Sequence, residues 1–173
     1  MKVIKYFLET ILIYIFFIVG RLLGLSISRN LFSFIFKKLG PIFKSKKIIN
    51  NNLNKFSKKI SKDKKNEIIN NMWSNYGMTF IEYIFLDKLK SQNSHIRIEG
   101  EEILNNILLS KKPVIFVSGH FANFELISME ITKRKINLAT LYRPLNNFFL
   151  NPLMEYLRRK YVCKDPFKKG LKG

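Results

Sequence analysis

The 173-residue chain has one cysteine, Cys163, and two histidines. A lone thiol excludes an internal disulfide, and so sparse a Cys/His set holds no structural zinc cluster. Glycine and proline are scarce too, eight and five residues, with no glycine-rich phosphate loop and no collagen-type repeat. Acidic residues number only 12 against 31 Lys and Arg, for a net charge of +19. Hydrophobicity is not in deficit: apolar types make up 47%, which excludes disorder by composition. The length admits one ordinary domain with an appendage and excludes two large ones.

The charge is unevenly placed. Residues 1–65 carry 15 basic and 2 acidic side chains, residues 66–173 carry 16 and 10. A basic half beside an apolar stretch points to an anionic membrane surface or to nucleic acid. Compositional drift is the alternative, because Lys, Asn, Ile and Phe together make up 80 residues. Only 7 of the basic residues are Arg, whereas phosphate- and base-reading surfaces favour the guanidinium fork. No base-reading motif is present.

From Tyr6 to Ile27, 16 of 22 residues are apolar. As a helix this segment is about 33 Å long, enough for a hydrocarbon core of about 30 Å. Three readings fit it: a spanning anchor, a helix lying in the membrane interface, and a signal peptide. The last lacks a small-x-small cleavage site, since the run continues into Gly20-Arg21-Leu22-Leu23. Arg29 to Gly40 reads as a short interfacial helix closed by Gly40-Pro41, with Lys37, Lys38, Lys44, Lys46 and Lys47 along its basic edge and downstream. The Lys/Arg excess after the first segment predicts that the bulk of the chain is cytoplasmic.

Beyond residue 46 the periodicity changes. Ile69, Met72, Trp73, Tyr76, Phe80, Tyr83 and Ile84 recur at helical steps between Ser61 and Leu86, with Trp73 and Tyr76 read as core. His95 to Gly100 alternates like a half-buried strand with a surface histidine at its start, and Glu101 to Ser110 reads as a helix with acids at its positive end. Pro113 to Ser118 is a continuous apolar run expected to form a central strand. Phe121 to Lys135 is helical, Asn137 to Tyr142 strand-like, and Leu150 to Leu157 amphipathic. The order predicts an α/β fold with parallel strands.

The segment Ser118-Gly-His-Phe-Ala-Asn-Phe-Glu-Leu126 carries the chemistry. His120 falls at the expected carboxyl end of a strand, where open α/β sheets place their sites. If it sits in the loop before the helix, Glu125 in the first turns can reach its ring and raise its basicity. The alternative is a capping histidine and a surface glutamate that never meet. Asn123 stands between them as a helix cap or a donor to substrate. Ser118 lacks the Gly-x-Ser-x-Gly elbow of a hydrolase nucleophile.

Gly-His-x4-Glu on a strand–helix turn resembles the His-x4-Asp/Glu signature of glycerolipid-type acyltransferases. Tyr142-Arg-Pro-Leu-Asn-Asn147, Asn52-Leu53, the Asn71 to Glu82 helix and the apolar N-terminus together resemble the lipid A biosynthesis acyltransferase family. The resemblance implies an inner-membrane enzyme that moves an acyl chain from acyl carrier protein to a hydroxyl of an anionic lipid A precursor, without metal or cofactor and with no nucleic-acid partner. It implies His120 as general base with Glu125 as charge partner, and Arg143 and Arg158 as substrate-binding arginines beside Asn123, Arg159 being the near alternative to Arg158. It implies an anchor helix at 1–28, an interfacial helix and linker at 29–45, and the N-terminal part of a glycerolipid-acyltransferase-like αβα domain at 46–173. Family members continue beyond Gly173, so this chain is expected to be a fragment or truncated product. An inactive membrane-associated remnant of the fold and a basic membrane-surface binding protein are the competing readings.

Overall fold

A computed structural model describes residues 1–43, 46–91 and 96–169. These residues are mostly helical. The elements are α1 (Lys2–Leu23), α2 (Leu25–Phe43), α3 (Lys46–Phe56), α4 (Lys62–Glu82), a 3-10 turn (Tyr83–Phe85), α5 (Leu86–Lys90), α6 (Glu101–Ser110), α7 (Glu125–Lys133), β1 (Ala139–Tyr142), α8 (Asn151–Leu157), a π-helical turn (Arg158–Val162) and β2 (Asp165–Lys168). They form two compact units, one of Phe16–Ile84 and one of Met1–Ile15 with Phe85–Gly173.

In the Phe16–Ile84 unit the end of α1, α2 and α4 surround a cluster of rings. Phe17, Phe32 and Phe36 each lie 5.1–5.8 Å from Phe80, ring centre to ring centre. Gly24, at φ +79°, breaks α1 from α2 in a conformation that L side chains rarely adopt. The Ser28 hydroxyl then donates to the Gly20 carbonyl at 2.7 Å, which closes the corner. Antiparallel to α2, α4 begins at Ser61, whose side chain caps the Lys64 amide. Gly77 is where the two helices touch: a Cβ there would run into the Phe32 carbonyl oxygen. Ser33 and Ser74 share a hydrogen bond of 2.7 Å across the same seam, and Arg29 meets the buried Glu82 at 3.0 Å. Gly40 and Pro41 lie inside α2 rather than ending it, because Gly40 offers the flat surface on which the Trp73 ring packs. Trp73 is buried as expected, whereas Tyr76 is half exposed.

The other unit is built on Phe85, Leu86, Leu89, Met129, Leu157 and Val162, all buried. Thr132 of α7 donates to the Val162 carbonyl at 2.9 Å, and Arg134 bridges Glu130 of α7 (3.0 Å) and Glu101 of α6 (2.6 Å). β1 and β2 pair in parallel, Ala139 with Asp165 through Tyr142 with Lys168.

Two expected strands are corrected. Ile96 to Gly100 has no ladder, and Pro113 to Ser118 forms no regular element and no paired strand; Ile115 and Val117 are 90% and 92% exposed. A strand is stabilised by cross-strand partners, and the described residues supply none to these runs. The fold among the described residues is therefore short of the parallel α/β sheet that the pattern implied. His95 and Lys44 lie outside the described residues.

The Gly77 contact predicts that Gly77→Ala destabilises this unit by about 1–3 kcal/mol, since overpacking a closed seam forces the helices apart. Tyr76→Ala, on the exposed neighbour, is expected to stay within about 0.5 kcal/mol. Urea unfolding of the two variants followed by far-UV circular dichroism checks the contrast.

Candidate active site

The site lies where α7 begins. Residues 119–124 form a tight loop: the Phe121 amide donates to the Gly119 carbonyl at 3.0 Å, and Ala122 has φ +45°. The helix starts four residues later than the sequence pattern implied, because the loop needs those residues to turn. As a result His120 is in the loop, exposed, with its ring 4.4 Å from that of Phe124. Asn123 is buried, and its side chain does not cap α7, which has no side-chain cap. Its backbone carbonyl accepts from the Leu126 amide at 3.2 Å.

Glu125, the first residue of α7, is buried at 6% exposure. Its carboxylate accepts from the Nε of Arg158 at 2.7 Å. Arg158 thus holds the carboxylate from the α8 side. Arg158 opens the π-helical turn, whose wide hydrogen bond runs from the Cys163 amide to the Arg158 carbonyl at 2.9 Å. Such single wide turns recur at functional sites. Arg159 instead faces outward and donates to the Lys164 carbonyl at 3.5 Å. Of the two adjacent arginines, Arg158 is thus the one joined to the histidine loop's helix.

Below the guanidinium of Arg158 is the ring of Tyr142, 5.6 Å away. The Tyr142 hydroxyl donates to Glu155 Oε1 at 2.7 Å, and the same oxygen accepts from Asn151 at 2.8 Å and pairs with Lys168 at 3.2 Å. Burial, then the hydrogen bond to Glu155, pushes the Tyr142 phenol above its ordinary value. The hydrogen bond from Tyr142 does most to hold the Glu155 carboxyl below its ordinary value, against the opposing effect of burial. Arg143, the next residue, is exposed and has no side-chain partner among the described residues. Spacing along the chain did not identify Glu155; the one signal for it is an acidic residue in a helix of otherwise apolar and neutral side chains.

The two shifts set a pH window. Glu155, with its folded value depressed, contributes stability above the ordinary 4.5 that fades as pH falls below it. Tyr142, with its value raised, contributes stability below the ordinary 10.0 that fades as pH rises above it. Tyr142→Phe is expected to lower stability near pH 7 by about 1 kcal/mol, flatten the acid limb and abolish the tyrosine part of the alkaline limb. Urea midpoints between pH 3.5 and 11 test this.

The arrangement is a solvent-facing imidazole on a tight loop, a buried carboxylate locked by an arginine, and a second arginine open to solvent just after the end of β1. The family description of the bacterial lipid A biosynthesis acyltransferases matches residues 1–164. No curated protein and no solved structure matches the chain. The match takes in the loop of His120, the Tyr142-Arg143 strand end and the π turn of Arg158 alike, and the chain belongs to the bacterial lipid A biosynthesis acyltransferase family.

Proposed function

We propose that the protein transfers a fatty acyl group from an acyl carrier protein thioester to a hydroxyl of an anionic lipid A precursor, at the cytoplasmic side of a bacterial inner membrane. Membership of the family supports an acyl donor and a glycolipid acceptor. The observation that carries the finer reading is the exposed ring of His120 on a loop whose following helix begins with a buried, arginine-locked Glu125.

His120 takes the proton of the acceptor hydroxyl as its oxygen attacks the thioester carbonyl. The oxyanion that develops collapses, the C–S bond breaks, and the carrier's thiolate leaves and takes the proton from the imidazolium. A thiolate is a good leaving group, so the main demands are a base and positive charge near the oxyanion. Glu125 is the charge partner that favours the imidazolium, and Arg158 fixes its position. Apo geometry is often looser than the reacting geometry, so the loop has only to bring the ring over the start of α7. Arg143, unpaired among the described residues, holds an anionic group of acceptor or donor, and a guanidinium does so in bidentate fashion. Asn123, buried in the same loop, is the residue placed to donate to a substrate oxygen there.

Purified chain in detergent, assayed with an acyl carrier protein thioester and a phosphorylated glucosamine disaccharide lipid, tests the reading. His120→Ala is expected to lose 10²–10⁴-fold in kcat, the usual scale of general-base catalysis. Arg143→Lys keeps the charge and loses the fork, and is expected to raise KM about tenfold with kcat little changed. Full activity in His120→Ala would refute the assignment of the base.

A further inference from the structure

Arg143 stands on the backbone that leads from β1 to α8. The residue after it is Pro144, whose ring fixes its own φ and keeps the preceding residue out of helical conformations. The Arg143-Pro144 step is therefore stiff, and its direction depends on what holds the residues on either side, Tyr142 and Leu145. Arg143 itself is exposed and has no side-chain partner among the described residues, so its aim is set through the backbone.

Both sides lead to one carboxylate. Tyr142 is the last residue of β1. Its carbonyl accepts from the Lys169 amide at 2.8 Å, and its hydroxyl donates to Glu155 Oε1 at 2.7 Å. On the other side the Leu145 amide donates to Asn151 Oδ1 at 2.9 Å, and Asn151 Nδ2 donates to the same Glu155 oxygen at 2.8 Å. The Asn151 amide is used at both its oxygen and its nitrogen, which fixes its orientation. Asn151 and Glu155 are four residues apart on α8 and so share a face of that helix. Lys168, at the end of β2, pairs with Glu155 Oε1 at 3.2 Å and holds the carboxylate toward the strands. Leu145 is exposed, and water would satisfy its amide at little cost in stability. What the Asn151 side chain adds is a fixed position.

We infer that Asn151 and Glu155 are positioning residues for Arg143: they clamp the backbone on both sides of it and hold its guanidinium ready for an anionic group. The inference rests on the anion-holding role proposed for Arg143 and supplies the means by which that role is made effective. A guanidinium carried on a loose loop has to order the loop as it binds, and that ordering subtracts from affinity. Fixing the loop beforehand removes the cost, which is what a supporting layer of hydrogen bonds does in a rigid binding site. Asn151 and Glu155 act through the backbone and touch no ligand themselves.

The test measures binding of a phosphorylated glucosamine disaccharide lipid to the full chain in detergent, together with hydrogen exchange at the Leu145 amide. Asn151→Ala and Glu155→Ala are expected to speed that exchange and to weaken lipid binding about five- to tenfold, the scale of re-ordering a short stretch of backbone. Glu155→Gln keeps an acceptor for Tyr142 and Asn151, and is expected to bind within about twofold of the unmutated chain. Asn151→Ala leaves Glu155 with Tyr142 and Lys168, and carries the test should Glu155→Ala not fold. In an Arg143→Ala background the losses from both alanine variants are expected to vanish, because residues that act through one group are not additive. Losses that persist there would mark a general structural role and overturn the inference. Unchanged exchange at Leu145 in Asn151→Ala would overturn it as well. An Arg143→Ala chain that binds as tightly as the unmutated one would remove the anion-holding role and the inference together. Weakened binding in Arg143→Ala with unchanged binding in Asn151→Ala would leave that role standing and overturn the clamp alone.

Discussion

The hydrogen-bonded ion pair between Glu125 and Arg158 determines how the unit around the candidate site is put together. Its side chains are only 7% and 15% exposed. Removing one partner of a buried pair leaves an uncompensated charge, at a cost of about 3–5 kcal/mol. That penalty binds the first residue of α7 to the π turn after α8, residues 33 positions apart in sequence. Because α7 cannot rotate without breaking the pair, the 119–124 loop is fixed at its carboxyl end. Because Arg158 is fixed, its guanidinium lies over Tyr142, whose hydroxyl in turn orders Glu155. One pair thus sets the positions of the loop, the strand end and the second helix.

The Phe16–Ile84 unit depends on a different constraint, the closeness of α2 and α4 at Gly77. With only hydrogen on the α carbon, the helix surface comes near enough for Ser33 to meet Ser74 and for Phe32 and Phe36 to reach Phe80. The ion pair of Arg29 with buried Glu82 lies at the end of the same seam. Together these contacts explain how a chain so rich in lysine builds a stable helical layer: glycine and aromatic residues face inward, and the one buried carboxylate of the seam, Glu82, is paired with Arg29.

Much of this was legible in the sequence where the signal is local. The three- and four-residue steps of Ile69 to Phe80 foretell α4, the acidic first turn foretells α6, and β1 falls within the strand-like Asn137 to Tyr142. His120 lies in a loop before α7, one of the two arrangements that its spacing to Glu125 allows. The misses are non-local. Val114 to Val117 has the composition of a central strand, but a strand is made by its neighbours, and periodicity within a segment cannot supply them. The Arg158 partner of Glu125 is likewise hidden from local spacing, since the two residues lie 33 positions apart. Gly40-Pro41 reads as a helix stop until Trp73 packs against Gly40.

The central claim is that Glu125, locked by Arg158, works through His120. A double-mutant cycle measures it directly: kcat/KM for acyl transfer by His120→Ala, Glu125→Gln and the double variant, in the membrane-bound full chain. Groups acting as one unit are not additive, so the account predicts a double variant little worse than His120→Ala alone, with Glu125→Gln the milder single loss. Losses that multiply in the double variant would contradict it, and would make Glu125 a structural partner of Arg158 and nothing more.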